Sequence, residues 1–264
     1  MTRATGLLLL LAIVPAHAAS KHHRSSVHRQ SSGVSLRKKL HVNDLITEPG
    51  TVELDFGGLY SYTTSTFTLP SALKWTPDGD SLFWGRTEYS ASFDSVASGV
   101  SAGGRNTQFS DRLTFAATSI LFDSEHFDIA VAPTITAMLR NDSGVRLGAT
   151  AVGRLDKSGN SLGVALSWSA ATVPSDTNPA GVWDLDIGYG RQLGRKLRRF
   201  TPHADAVLEH ATGFERTLAV FGGVAYEITG RASIDAVWQR YGLVGGEPDR
   251  QFLVSFTYNF GKRP

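Results

Sequence analysis

From Thr51 onward, hydrophobic and polar positions alternate with a period of two, the pattern of strands that bury one face. The last segment shows it most cleanly. Phe252, Val254, Phe256, Tyr258 and Phe260 share one face, and Gln251, Ser255, Thr257 and Asn259 the other. Phe127, Ile129, Val131, Ile135 and Leu139 stand against Asp128, Thr134, Thr136 and Arg140 in the same way. So do Trp183, Leu185, Ile187 and Tyr189 against Asp184 and Asp186, and Leu162, Val164, Leu166 and Trp168 against Ser161, Ser167 and Ser169. The rhythm predicts twelve strands, near 51–62, 66–76, 81–94, 110–122, 127–140, 145–156, 160–171, 181–193, 199–210, 215–228, 231–241 and 249–260. Each strand with its connection takes roughly 17 or 18 positions, enough for a membrane-crossing strand of about 10 residues and a turn. No long helical pattern interrupts the series.

A soluble β-sandwich alternates too, so three further features decide the class. The apolar faces carry no charge in their interiors, whereas the opposite faces hold most of the strand charges, as lipid outside and water inside require. Aromatic residues collect toward the strand ends: Tyr60, Tyr62, Phe93, Trp168, Trp183, Trp238 and Phe252 toward one, Trp75, Phe83, Phe127, Tyr189, Phe200, Tyr226, Tyr258 and Phe260 toward the other. Two such rings are the interfacial belts of a membrane barrel. Connections also alternate in length. Long ones (Ser95 to Phe109, Thr172 to Ala180, Gly242 to Pro248) follow odd strands, and short ones (Pro77-Asp78-Gly79, Ser124-Glu125-His126, Lys157-Ser158-Gly159, Thr229-Gly230) follow even strands. The expected fold is all-β, an antiparallel up-and-down transmembrane β-barrel of about 12 strands over residues 51–260, with both termini in the periplasm.

The N-terminus supplies the compartment. Arg3, the apolar stretch Leu7 to Val14, and Ala16-His17-Ala18 have the form of a signal peptide (1–18) cleaved after Ala18. Residues 19–50 read as a disordered basic periplasmic tail. Its basic residues are Lys21, Arg24, Arg29, Arg37, Lys38 and Lys39, joined by four histidines, with no acid before Asp44. The chain has 26 Lys and Arg against 24 Asp and Glu. Setting aside Arg3, the six tail cations and Asp44 leaves 19 against 23, so the barrel is negative although the whole chain is +2. That balance argues against nucleic acid as a partner. Cysteine is absent, which excludes disulfides, thiol chemistry and cysteine-ligated metal, and fits a bacterial envelope. Neither a metal site nor a cofactor site is expected: the tail histidines lack ligand spacing with a carboxylate, and no glycine-rich loop joins a strand to a helix. Residues 261–264 form a short C-terminal extension.

Phe252 to Phe260, alternating and ending in phenylalanine, resembles the terminal strand by which outer-membrane proteins are recognised for assembly. Asp44, Thr47-Glu48-Pro49-Gly50-Thr51-Val52-Glu53-Leu54 and Gly57-Gly58-Leu59-Tyr60-Ser61-Tyr62 resemble the opening of the meta-pathway phenol-degradation family of outer-membrane transporters. As in that family, Leu69-Pro70, Leu73-Lys74-Trp75 and Gly85-Arg86-Thr87-Glu88 follow. The resemblance implies a barrel that admits small, often aromatic, organic compounds. The partners it implies are those solutes, outer-membrane lipid and the barrel assembly machinery.

With the apolar faces turned outward, the remaining positions list the lumen charges. Strands two to six contribute Lys74, Arg86, Arg112, Arg140, Arg146 and Arg154, with Glu88, Asp94 and Asp128. Strands eight to twelve and the first contribute Asp184, Asp186, Asp205, Glu209, Glu227, Asp235, Glu53 and Asp55. A basic arc thus faces an acidic arc, which sets up a transverse field across a water-filled lumen and a mild cation preference. Arg86, Glu88, Asp186, Asp205 and Asp235 are nearest mid-strand and mark the expected constriction. Two states follow from the same list: an open pore, or a lumen closed by long charged side chains that pair across it.

Passive uptake of small solutes without catalysis is the function this pattern favours. The rivals are a structural or adhesive barrel, whose Ser- and Gly-rich loops bind a surface partner, and an outer-membrane lipid hydrolase. A hydrolase needs a serine activated by a histidine that a third group orients. The one His-x-Ser, His23-Arg24-Ser25, lies in the tail, and His203, Asp205, Glu209 and His210 have no evident serine partner.

Overall fold

The computed structural model describes residues 46–63, 66–78, 86–97, 107–108, 112–139, 144–174, 179–194, 196–245 and 248–261, with side chains omitted at 94–97 and 107–108. Thirteen strands follow one another: β1 (Thr51–Ser61), β2 (Thr66–Thr76), β3 (Thr87–Ala97), β4 (Thr107–Gln108), β5 (Arg112–Asp123), β6 (Phe127–Met138), β7 (Gly144–Lys157), β8 (Asn160–Ala171), β9 (Gly181–Arg191), β10 (Phe200–Ala211), β11 (Thr217–Thr229), β12 (Ala232–Val244) and β13 (Asp249–Phe260). β4 is a two-residue ladder on the end of β3. The other twelve pair antiparallel in sequence order, and β1 closes the ring on β13, from Val52↔Phe260 to Ser61↔Gln251. Closure leaves no strand edge, so every backbone N–H and C=O of the wall can be satisfied without water. This is the all-β, twelve-stranded antiparallel barrel that the alternation predicts.

The alternation also sorts the faces as lipid demands. Phe56, Leu73, Phe115, Ile135, Leu147, Leu166 and Ile187 belong to a continuous set of large apolar side chains that stand exposed on the outside. A water-soluble protein does not expose apolar surface on this scale. Aromatic rings pair toward both rims, some across neighbouring strands and some two residues apart along one strand. Tyr60 with Tyr62 and Trp168 with Trp183 lie at the rim of the longer loops; Trp75 with Tyr89, Phe200 with Tyr226 and Tyr258 with Phe260 lie at the rim of the chain termini. Ser158 and Gly159, both at positive φ, make the two-residue turn between β7 and β8, a conformation glycine adopts without a Cβ penalty.

Three sequence expectations need correction. The third strand runs 87–97 rather than 81–94, because its register is set by pairing Trp75↔Tyr89 and Phe67↔Ala97 with β2, which local periodicity does not contain. Phe83 consequently falls outside the described residues. The contrast in connection length is weaker than expected. Residues 77–86 and 192–199 form longer connections at the terminal rim, while β12 extends to Val244 and shortens the last loop to 245–248. Finally, the tail assigned to 19–50 ends inside the fold. Ile46 is buried, and Thr47 is hydrogen-bonded to the barrel wall.

Candidate functional site

The lumen wall is built from the inward half of each strand, and its charges fall into three layers. At the terminal rim, Lys74 of β2 stands beside Glu53 of β1 in register. Its Nζ lies 2.6 Å from Glu53 Oε1 and 2.5 Å from Asp55 Oδ2, with the lysine side chain only 1% exposed. Asp55 also accepts a hydrogen bond from Thr257 Oγ1 of β13. Glu88 of β3 adds its negative charge to the field at Lys74 and accepts a hydrogen bond from the Thr47 N–H at 2.8 Å. Elsewhere on the wall, Arg154 of β7 is bracketed by Asp128 of β6 at 3.0 Å and Asp156 at 2.7 Å. Buried ion pairs persist only when geometry and hydrogen bonds offset desolvation; Lys74 and Arg154 are buried and each has two carboxylates, of which Asp156 alone is exposed.

Toward the loop rim, Arg146 of β7 donates to the Pro179 carbonyl at 2.8 Å and to Ser169 Oγ at 3.0 Å. It feels the charges of Arg112 on β5, Asp184 on β9 and Glu209 on β10. Asp184 and Glu209 are direct cross-strand partners, so the arginine between the two arcs offsets a like-charge pair. The basic and acidic arcs therefore meet at Arg146.

Between these layers lie Asp186, Asp205 and Asp235, all buried. His203 Nε2 is 3.0 Å from Asp235 Oδ1, a hydrogen bond that spans β11. Beside this carboxylate layer the wall turns apolar. Leu59, Val207, Ala219, Phe221, Val237 and Leu253 pack as one cluster of inward side chains, with Tyr241 against it. Phe221 and Tyr241 meet edge-on, ring centroids 5.5 Å apart.

Among the residues expected at the constriction, Asp186 and Asp205 fall on inward mid-strand positions, and Asp235 is inward but nearer the terminal rim, the fourth residue of β12. Arg86 and Glu88 do not. Arg86 precedes β3 and reaches an exposed carboxylate, Asp123, at 3.8 Å, and Glu88 is the second residue of β3, because that strand starts later than expected. Arg112, Arg146, Asp184 and Glu209 form the loop-rim layer. Arg140 lies outside the described residues, and so does the side chain of Asp94. Lys74 with Glu53 and Asp55, and Arg154 with Asp128, join neighbouring strands, Arg154 with Asp156 lies within β7, and His203 with Asp235 spans β11. Beside these charges an apolar cluster that the sequence reading did not single out occupies inward positions of β1 and β10–β13. The signal was present in the sequence, since Leu253 sits on the polar face between Gln251 and Ser255 and Val207 between Asp205 and Glu209. Asp249, unexpected as well, is buried at the loop rim, where Ser61 Oγ and Gln251 Nε2 donate to it.

A closed barrel with an apolar exterior, aromatic rims and a charged lumen defines the class of outer-membrane β-barrels, and solved structures agree. The chain is similar to the COG4313 outer membrane channel from Pseudomonas putida F1, at 10% identity and a TM-score of 0.59, over 81% of this chain and 97% of that one. It is similar to the NanC porin at 10% identity and 0.56, over 78% and 98%. The KdgM porin in complex with disordered oligogalacturonate follows at 9% and 0.55, over 79% and 99%. At such identities the likeness establishes the fold. No family model matches the chain, and no curated protein does.

Proposed function

We propose that this protein resides in the outer membrane with both termini in the periplasm, and that it passes small organic solutes by diffusion. The observation that carries the reading is the composition of the inner wall. The buried inward carboxylates Asp186, Asp205 and Asp235 adjoin an apolar, partly aromatic surface around Phe221 and Tyr241. A barrel that served only as a scaffold or adhesin would have no need of such a wall. Solutes with a ring or alkyl part and a polar group match both halves of it, consistent with the small, often aromatic, compounds implied by the sequence resemblance at residues 44–88. No catalytic step is required. The excess of inward carboxylates favours cations, because a charged lining of low-dielectric walls concentrates counter-ions.

Single-channel conductance of the refolded protein in a planar bilayer, with reversal potential under a salt gradient, tests this. Discrete steps with cation preference are expected, and the triple variant Asp186→Asn, Asp205→Asn, Asp235→Asn lowers that preference. A bilayer that stays silent, with the barrel verified by heat-modifiable gel mobility, would reject diffusion and move the adhesive reading ahead.

A further inference from the structure

The rim of the chain termini is electrically two-sided. Among its described residues, the half from β1 to β6 exposes the acids Glu48, Asp78, Asp123 and Glu125, with Arg86 paired to Asp123. The half from β7 to β12 exposes the cations Lys157, Arg191, Lys196, Arg198 and Arg199. Asp156 and Glu227 are the exposed acids among the described residues of that half, and Asp156 is taken up by Arg154. Among the described residues, no ion pair or hydrogen bond engages the charged ends of the five cations.

Register and turn hydrogen bonds fix where these cations stand. Lys157, Asn160 and Arg191 are consecutive partners across β7, β8 and β9. Strand alternation puts them on the outward face, in line with the exposed Leu155, Leu162 and Tyr189. With strands about 4.8 Å apart, Lys157 and Arg191 stand roughly 10 Å from each other, so one phosphodiester fits between their heads. Asn160 adds no charge and is already occupied. Its amide donates to the Lys157 carbonyl at 3.2 Å, and its Oδ1 accepts from the Tyr189 hydroxyl at 2.7 Å. The β9–β10 connection is tied down beside this row. The Gln192 N–H donates to the Gly159 carbonyl at 2.7 Å, Gln192 Nε2 to the Arg198 carbonyl at 3.2 Å, and the Phe200 N–H to the Leu197 carbonyl at 2.8 Å.

Apolar side chains are interleaved with the charges. Leu197 is 51% exposed between Lys196 and Arg198, and Phe200, next to Arg199, meets Tyr226 with ring centroids 4.7 Å apart. A soluble polyanion gains nothing from exposed leucine and phenylalanine. A membrane interface uses both kinds of group: apolar side chains enter the acyl boundary while cations meet anionic headgroups. Zwitterionic headgroups alone would leave five like charges uncompensated.

We propose that this half of the rim is a binding surface for anionic phospholipid, with one phosphodiester headgroup between Lys157 and Arg191 and another against Lys196, Arg198 and Arg199. The inference rests on the reading that the barrel lies in the outer membrane with its termini in the periplasm, which makes the bound leaflet the periplasmic one. The acidic half of the same rim repels these lipids, so the barrel gathers an anionic sector on one side only.

The test uses the mature full chain in phosphatidylcholine vesicles that hold a minor share of phosphatidylglycerol, part of it carrying a photoactivatable diazirine on the headgroup. After chymotryptic digestion, mass spectrometry locates the adducts. Labelling of peptides that contain 157–160 and 191–200 is expected at least fivefold above that of 121–127 on the acidic half. A phosphatidylcholine probe with the same diazirine is expected to label the two halves evenly. The variant Lys157→Gln, Arg191→Gln, Lys196→Gln, Arg198→Gln, Arg199→Gln should lose the phosphatidylglycerol excess, with folding verified by heat-modifiable gel mobility. Should that variant fail to fold, the pair Arg191→Gln, Arg198→Gln should lower the excess at least twofold. Even labelling by phosphatidylglycerol in the wild type, or an excess that survives the substitutions, overturns the proposal. Tighter retention of inorganic polyphosphate than of phosphatidylglycerol by the detergent-folded barrel, lost in the same variant, assigns the cations to a soluble polyanion and also overturns it. A barrel that enters no vesicle rejects the membrane reading itself, whereas one that inserts and labels evenly rejects the lipid surface alone. Conduction is read separately, in a bilayer of phosphatidylcholine only.

Discussion

His203 on β10 reaches Asp235 on β12 over an intervening strand, Nε2 to Oδ1 3.0 Å, because that strand passes beneath the imidazole at Gly223. A Cβ on residue 223 would stand 2.8 Å from His203 Nε2 and 2.7 Å from the Ala236 carbonyl. The contact is a product of three strands in register, with the missing side chain as much a part of it as the two present.

Gly223→Ala should therefore destabilise the barrel by about 1–3 kcal/mol, the usual cost of overpacking a close site. Urea-midpoint shifts in vesicles measure it. Because one of the two obstacles is the ring, Gly223→Ala combined with His203→Ala should cost at least ~0.5 kcal/mol less than the sum of the single changes, since contacting residues are not additive. Strict additivity would mean that the carbonyl of Ala236 is the sole obstacle.

Lys74 pairs with both Glu53 and Asp55 from a site closed to water. Lys74→Met leaves those carboxylates buried without their cation and should cost about 3–5 kcal/mol, the range for breaking a buried pair from one side. Adding Glu53→Gln and Asp55→Asn should recover most of it, since what destabilises is the uncompensated charge. A triple variant as unstable as Lys74→Met alone would show instead that the packing of the lysine stem carries the effect.

Leu166 projects outward midway along β8, half-exposed with no protein to cover it. If lipid covers it, Leu166→Arg should destabilise by about 2–4 kcal/mol, as expected for a cation at the middle of the hydrocarbon layer. Val173, also exposed but just past the end of β8 at the loop rim, should tolerate arginine at a cost of about 1 kcal/mol or less. Equal costs at the two depths would argue that no bilayer surrounds this face.

Trp168 and Trp183 sit opposite each other in register, with ring centroids 6.0 Å apart. A double-mutant cycle to alanine should give a coupling of about 0.5–1.5 kcal/mol, typical of aromatic pairs. Zero coupling would mean that each ring meets the interface separately.

The barrel was legible because its cause is local. A strand with lipid on one side and a lumen on the other must alternate, and Phe252 to Phe260 or Leu162 to Trp168 display that residue by residue. The faces of Lys74, Asp186, Asp205 and Asp235 followed from the same count. What failed was longitudinal placement. In the stretch 81–97 several starts satisfy the alternation, and only pairing with Phe67 and Trp75 on β2 selects Thr87 as the first residue. Arg86 thereby moved from an expected constriction to an exposed rim.

The sequence by itself determined the class of fold, an approximate strand number and, for most residues, which side of the wall they face, since each depends on neighbours two positions away. Only the tertiary structure decided who meets whom. Leu59 joins Leu253, Val237, Phe221 and Val207 because β1 closes on β13, a pairing between opposite ends of the barrel sequence. Asp55 is shared by Lys74 and Thr257 for the same reason. Thr47 finds Glu88 because β2 and β3 fold back beside the turn that leads into β1. Period two specifies a face, whereas register and closure specify a height and a partner, and those are properties of the assembled wall.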